Sequence, residues 1–258
     1  MAVKCAVSAI IFMFLLSTSL GAQVAAPSKS PIKPKKPALT RTVETQLSGF
    51  TSQDADQLYA RLSLQEEKPK QNWYIRGAMS RTVTKNITSN SYVITSKLDS
   101  RLEHITRPAA YTVWTGVLSR RDRNYPGAKR DRRSGYEFLS YGFGRQLSPK
   151  TKADAGVGLL KVWDGDEGTK PSVMLSVRGR HPLSRKFAFE SDTIIIQPMD
   201  AVRSTKVDSD LALVHELSPG LSLRFGWSLN NLIRSVHMDR EWDSILRLSI
   251  SYRRTSTR

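Results

Sequence analysis

From Trp73 onward, apolar and polar residues alternate with a period of two. The clearest run is LSLRFGWSLN at 221–230. Leu221, Leu223, Phe225, Trp227 and Leu229 fall on one side, and Ser222, Arg224, Gly226 and Ser228 on the other. Such a period defines a β-strand with two unlike faces. The same test picks out about ten strands, at 73–82, 91–102, 110–119, 135–146, 152–163, 172–180, 187–196, 206–216, 221–230 and 243–253.

The connections carry as much information as the strands. LSPK at 147–150, LSRK at 183–186 and LSPG at 217–220 recur at a spacing set by two strands, a turn and a loop. Each is a tight-turn signal. Longer segments precede and separate them, RRDRNYPGAKRDRRS before the first and DGDEGTKP and QPMDAVRST between them. Short and long connections therefore alternate, which places all turns at one end of an antiparallel sheet and all loops at the other.

Alternation alone does not say whether the apolar face looks into a core or out into lipid. The polar faces are strongly charged: Lys97, Asp99 and Arg101 in one strand, Arg178 and Arg180 in another, Asp208 and Asp210 in a third, with Arg224 and Arg247 further on. A soluble sandwich would turn these to water. A membrane barrel would turn them inward, where crowding requires them to pair. Strands of about ten residues fit a tilted membrane-crossing strand, and closure removes edges that lipid does not tolerate. The expectation is an all-β, antiparallel, up-and-down β-barrel of about ten strands of outer-membrane type. Its lumen is closed or very narrow, with Arg178, Arg180, Asp208, Asp210, Arg224 and Arg247 facing inward. Trp73, Tyr74, Tyr92, Trp163, Trp242 and Tyr252, near strand ends, are expected in interfacial girdles.

The N-terminal part reads differently. Lys4, the apolar run at 5–20 and the small residues before a cut after Ala22 match a secretory signal peptide at 1–22. The competing reading is a membrane anchor, for which the run is short. Residues 23–72 read as a flexible basic linker rich in Pro and Lys, with a short helix over SQDADQLYARLSL. The barrel domain is then 73–258. Cys5, the single cysteine, falls within the signal, which leaves no disulfide or thiolate metal site downstream.

The 258 residues carry a formal net charge of +17, with a pI near 10.2. That balance suits an anionic partner. The charge is spread along the chain without a zinc-finger or RNP-type motif, so nucleic acid is not expected. The four histidines, at 104, 181, 215 and 237, lack metal-ligand spacing. No nucleophile elbow or phosphate loop occurs, and no cofactor or catalytic residue is expected. The densest cationic segment holds Arg120, Arg121, Arg123, Lys129, Arg130, Arg132 and Arg133, relieved by Asp122 and Asp131. As an outward loop it would meet the phosphates of lipopolysaccharide, which guanidinium forks bind well. A solvated hairpin loop is the alternative.

Residues 110–253 resemble a known family. RRDRNYPG at 120–127, GYEFLSYGFGRQLS at 135–148, HPLSRKFAFESD at 181–192, ELSPGLSLRFGW at 216–227 and ILRLSISYR at 245–253 are similar to motifs of the salt-induced outer-membrane proteins, domain-of-unknown-function family 481. The resemblance implies a barrel in the Gram-negative outer membrane, inserted by the barrel-assembly machinery, without catalysis or cofactor. Members of that family end on an aromatic residue, whereas this chain continues RRTSTR after Tyr252. The expected role is that of a structural or stress-related envelope barrel. The alternatives are a soluble periplasmic barrel for an apolar ligand and an outer-membrane lipid-modifying enzyme. Neither a transported solute nor an oligomeric state is legible.

Overall fold

β-branched and aromatic residues at alternate positions, punctuated by Ser-Pro, Gly and Asn, leave the backbone little option but extended strands. The computed structural model describes residues 39–51, 55–85, 90–124, 132–163, 168–200, 205–232 and 241–257. They form twelve strands: β1 (Thr40–Thr51), β2 (Ala55–Glu67), β3 (Gln71–Lys85), β4 (Asn90–Arg107), β5 (Ala110–Asn124), β6 (Arg132–Ser148), β7 (Thr151–Val162), β8 (Lys170–Pro182), β9 (Phe187–Pro198), β10 (Lys206–Ser218), β11 (Leu221–Leu232) and β12 (Glu241–Thr257). Each pairs antiparallel with its sequence neighbours, and β1 pairs with β12, which closes the barrel. Twelve strands about 4.8 Å apart and tilted by about 40° enclose a cylinder of roughly 12 Å backbone radius.

Two strands precede those read from the sequence. The segment expected as a helix is β2, paired residue by residue with β1 and β3. Leu58 and Leu62 point outward and are exposed, while Tyr59 points inward and is buried. An inward tyrosine beside outward leucines imitates one helical face. β1 escapes notice because Arg41 and Thr45 share the outward face with Val43 and Leu47. The barrel therefore begins at Thr40 and not at Trp73. The signal segment and residues 23–38 of the expected linker lie outside the described residues.

The strands run from 12 to 18 residues, longer than the expected ten. The Leu-Ser turns at 147–150, 183–186 and 217–220 all fall at the barrel end that also holds both chain-terminal strand ends. In the last of them Gly220 has φ +84°, and a Cβ there would lie 2.6 Å from the Arg253 carbonyl. That carbonyl belongs to the residue whose amide donates to the Gly220 carbonyl at 2.7 Å, so the turn is tied to β12. Alternation of connection length fades near the start: residues 52–54 and 68–70 are equally short links at opposite ends.

The two faces differ sharply. Outward positions on successive strands carry exposed Leu47, Leu62, Met79, Leu98, Trp114, Leu139, Val157, Leu175, Leu213, Phe225 and Leu248. Outward Arg41, Arg145 and Arg254 lie toward the turn end, and outward Arg81, Arg120 and Lys161 toward the loop end. An apolar belt bounded by cations thus rings the barrel. Trp114 and Tyr141, with ring centres 4.8 Å apart, lie within that belt. Tyr74 is a correction to the expected girdle. It faces the lumen between Arg76 and Arg178, whose guanidinium carbons lie 5.9 and 5.5 Å from its ring centre.

Candidate functional site

The alternation that puts leucines outside puts charged side chains into a space about two side chains wide. Glu103 on β4 accepts from Lys152 Nζ at 2.5 Å and Arg178 Nη2 at 2.8 Å. Arg101, two residues back on the same face, pairs with Asp154 on β7, and Tyr111 donates its hydroxyl to that aspartate at 3.2 Å. Glu44 on β1 accepts from Arg253 at 2.9 Å and Arg224 at 3.1 Å. Glu190 on β9 meets the same Arg224 at 2.6 Å and Arg180 at 3.2 Å. Arg76 on β3 bridges Asp99 and Asp192, each at 2.6 Å. Lys97 lies 2.5 Å from Asp208 and 3.5 Å from Asp99. Several of these pairs, among them Arg76–Asp192, Arg101–Asp154 and Lys97–Asp208, join strands far apart in the sheet, which only the interior permits. Desolvating so many charges is offset because each carboxylate faces one or more cations.

Toward the loop end on the β5–β9 side the lumen turns apolar. Val117, Phe138, Leu160, Met174 and Ile196 pack together with Tyr136, all nearly inaccessible to solvent. Lys206 lies over the Tyr136 ring at 5.7 Å. Inward glycines make room: a Cβ at Gly144 would overlap the Tyr111 ring. Toward the turn end the lumen opens into a cavity of about 520 Å³, bordered by the Pro149–Lys150 turn and by ten Lys or Arg and six Asp or Glu.

The inward residues read from alternation sit as follows. Arg178 pairs with Glu103, Arg180 with Glu190, and Asp208 with Lys97. Asp210 accepts from Ser228 and lies 3.8 Å from Arg76. Arg224 links Glu44 and Glu190. Arg247 stands over the Tyr59 ring at 4.1 Å. Alternation does not supply partners across the barrel, and Glu44 and Arg61 went unread because β1 and β2 did.

The cationic segment expected as one outward loop is divided by the fold. Arg120, Arg121 and Arg123 belong to β5, which extends to Asn124. Arg120 points outward and is exposed, with Asp122 at 3.1 Å on the same face. Arg121 points inward, is buried, and donates to Thr95 at 3.4 Å, and Arg123 shares its face. Arg132 and Arg133 belong to β6. Lys129 and Arg130 lie outside the described residues.

No protein-family model matches the chain, and no curated protein matches it. Among solved structures, the translocator domain of autotransporter NalP from Neisseria meningitidis aligns over 97% of each chain, at 11% identity and a TM-score of 0.44. The COG4313 outer membrane channel from Pseudomonas putida F1 aligns over 90% of this chain and 100% of its own, at 12% identity and a TM-score of 0.41. The beta domain of the Bordetella autotransporter BrkA aligns over 84% of this chain and 98% of its own, at 16% identity and a TM-score of 0.35.

Proposed function

We propose that this protein is an outer-membrane barrel of the Gram-negative envelope, structural or stress-related rather than catalytic, and not an open porin. The observation that carries the reading is the inversion of its faces. Exposed apolar side chains ring the outside, while buried ion pairs such as Arg76–Asp99 and Arg101–Asp154 fill the inside. In water that arrangement would expose a large apolar surface and bury charge, both unfavourable. In a bilayer the belt meets lipid, and the closed sheet leaves no spanning strand without a partner. An ionic lumen also speaks against the alternative of a soluble barrel holding an apolar ligand. The likeness to salt-induced outer-membrane proteins points the same way.

Short turns of such barrels face the periplasm and longer loops face outward. In that orientation Arg81, Arg120 and Lys161 meet the level of lipopolysaccharide phosphates, and insertion proceeds through the barrel-assembly machinery. The deciding experiment is fractionation with a heat-modifiability gel and planar-bilayer recording. The protein is expected in the outer-membrane fraction, migrating faster unboiled, with little or no conductance. Recovery in the periplasmic wash would overturn the location, and a large steady conductance would overturn the occluded lumen.

A further inference from the structure

We infer that the turn-end half of the lumen is a binding chamber for a small oxyanion-bearing solute, of about the size of a phosphorylated or carboxylated monosaccharide. The cavity of about 520 Å³ lies within the range of small-molecule sites. Its ten cationic and six acidic lining residues leave an excess of positive charge in a confined space.

Five of the six acids are already committed to cations, and the sixth, Glu67, is exposed at the rim and accepts from Gln65. Glu44 is held by Arg224 and Arg253, Glu103 and Glu190 each face three cations, and Asp192 and Asp210 face Arg76. Two deep cations are left without a close carboxylate among the described residues. Arg61 approaches Glu44 only to 3.8 Å. Arg247 has the face of Tyr59 as its contact. Arg61 and Tyr59 share the inward face of β2, and Arg247 on β12 lies over the Tyr59 ring, so both guanidinium groups belong to the same stretch of wall.

The polar atoms around them are unspent. Arg61 Nε, Arg247 Nε and Ser63 Oγ are buried donors without a hydrogen-bond partner among the described residues, and Gln46 Oε1 is a buried acceptor in the same condition. All four residues line the cavity. Gly226 is paired with Arg247 on the same inward face, and a Cβ there would meet nothing closer than 3.6 Å. Guanidinium donors with hydroxyl and amide neighbours suit a phosphate or carboxylate that carries sugar hydroxyls.

The approach is cationic too. A second cavity at the Pro219–Gly220 turn shares Arg180, Arg224 and Arg253 with the first, set against one acid, Glu216. The chamber therefore continues to the turn end. That this end faces the periplasm rests on the proposed membrane reading, whereas binding itself does not.

The test is isothermal titration of the full chain, folded in detergent, at fixed ionic strength. Glucose 1-phosphate and glucuronate are the two charged probes, and glucose is the neutral control. Saturable binding of either charged probe, with glucose at least tenfold weaker, is expected. The variants Arg61→Gln and Arg247→Gln, each still heat-modifiable, are expected to weaken binding at least tenfold. No saturable binding, equal binding of glucose, full competition by equimolar chloride, or unchanged affinity in both variants would each overturn the inference. A protein that is not heat-modifiable but still binds would remove the membrane reading and leave the chamber standing.

Discussion

Arg76 on β3 and Asp192 on β9 meet at 2.6 Å from opposite walls of the barrel, six strands apart in either direction. The same guanidinium holds Asp99 at 2.6 Å and lies 3.8 Å from Asp210. One cation thus serves three carboxylates at the middle of the lumen, and its loss takes from Asp192 and Asp210 their ion-pair partner among the described residues and leaves Asp99 only Lys97 at 3.5 Å. Arg76→Met is expected to destabilise the barrel by about 3–5 kcal/mol, the range for removing one partner of a buried charge cluster. Asp192→Asn is expected to cost less, because Arg76 keeps Asp99. Urea titration of the compact band on unboiled gels checks the order, and equal losses for the two variants would contradict the strut.

Which parts of this network were legible follows from what a period of two can encode. Alternation assigns a residue to a face, so Arg224 and Asp208 could be set apart from Phe225 and Val207 by counting. Partners are set by how far the strands are staggered around the whole cylinder, and that appears only when β1 closes on β12. Arg76 and Asp192 are more than a hundred residues apart, and no local pattern joins them. β1 and β2 were missed for a different reason. Tyr59 faces a wet, ionic lumen, where an aromatic ring beneath Arg247 is as acceptable as a serine, so polarity no longer marks the inside. The same holds for Tyr74, read as an interfacial aromatic and found between two arginines. Arg121 was misplaced because β5 runs on into a segment whose composition reads as loop.

The apolar belt makes a positional prediction. Leu248, 60% exposed in the middle of β12, would meet the bilayer interior, and Leu183, 63% exposed, sits in the β8–β9 turn. Leu248→Arg is expected to destabilise the folded protein in lipid vesicles by about 2–4 kcal/mol, as an arginine does on the lipid face near the midplane. Leu183→Arg is expected to stay within about 0.5 kcal/mol, as solvated surface changes do. Comparable small effects at both sites would mean that the belt does not contact lipid.

Gly144 and Tyr111 predict a compensating pair. The two stand in register on β6 and β5, and the tyrosine ring occupies the space a side chain at 144 would need. Gly144→Ala is expected to cost about 1–3 kcal/mol through overpacking. Tyr111→Ala should relieve that cost while forfeiting the hydroxyl's bond to Asp154. A double-mutant cycle on refolded protein is expected to show coupling of at least about 0.5 kcal/mol between the sites, and strict additivity would argue against the contact.

The apolar cluster bears on conduction. Phe138, Leu160 and Met174 fill the loop half of the lumen on the β5–β9 side, above the ionic layer. Truncating Phe138 and Leu160 together to Ala removes ring and branched volume from that half of the lumen. Planar-bilayer recording of the double variant is expected to show discrete openings absent from the parent. Silent bilayers with a correctly heat-modifiable variant would place the barrier in the Arg76 and Lys97 layer instead.

The closing seam is the shortest ladder among the described strands. β1 pairs with β12 only from Thr40 to Leu47, while β12 continues to Glu241 along β11. Beyond Leu47 the seam is held by side chains: Ser48 Oγ donates to the Leu248 carbonyl at 2.8 Å, and just before it Gln46 Nε2 donates to Ser249 Oγ at 2.6 Å. Each such bond contributes on the order of 1 kcal/mol, which is a larger share of a short ladder than of the fourteen-pair β5–β6 ladder. Gln46→Ala with Ser48→Ala is therefore expected to loosen this joint before any other. Hydrogen exchange by mass spectrometry should show β1 amides losing protection while β5 and β6 amides keep theirs. Loss of protection shared evenly by all strands would mean that closure is cooperative around the whole ring and that the seam has no stability of its own.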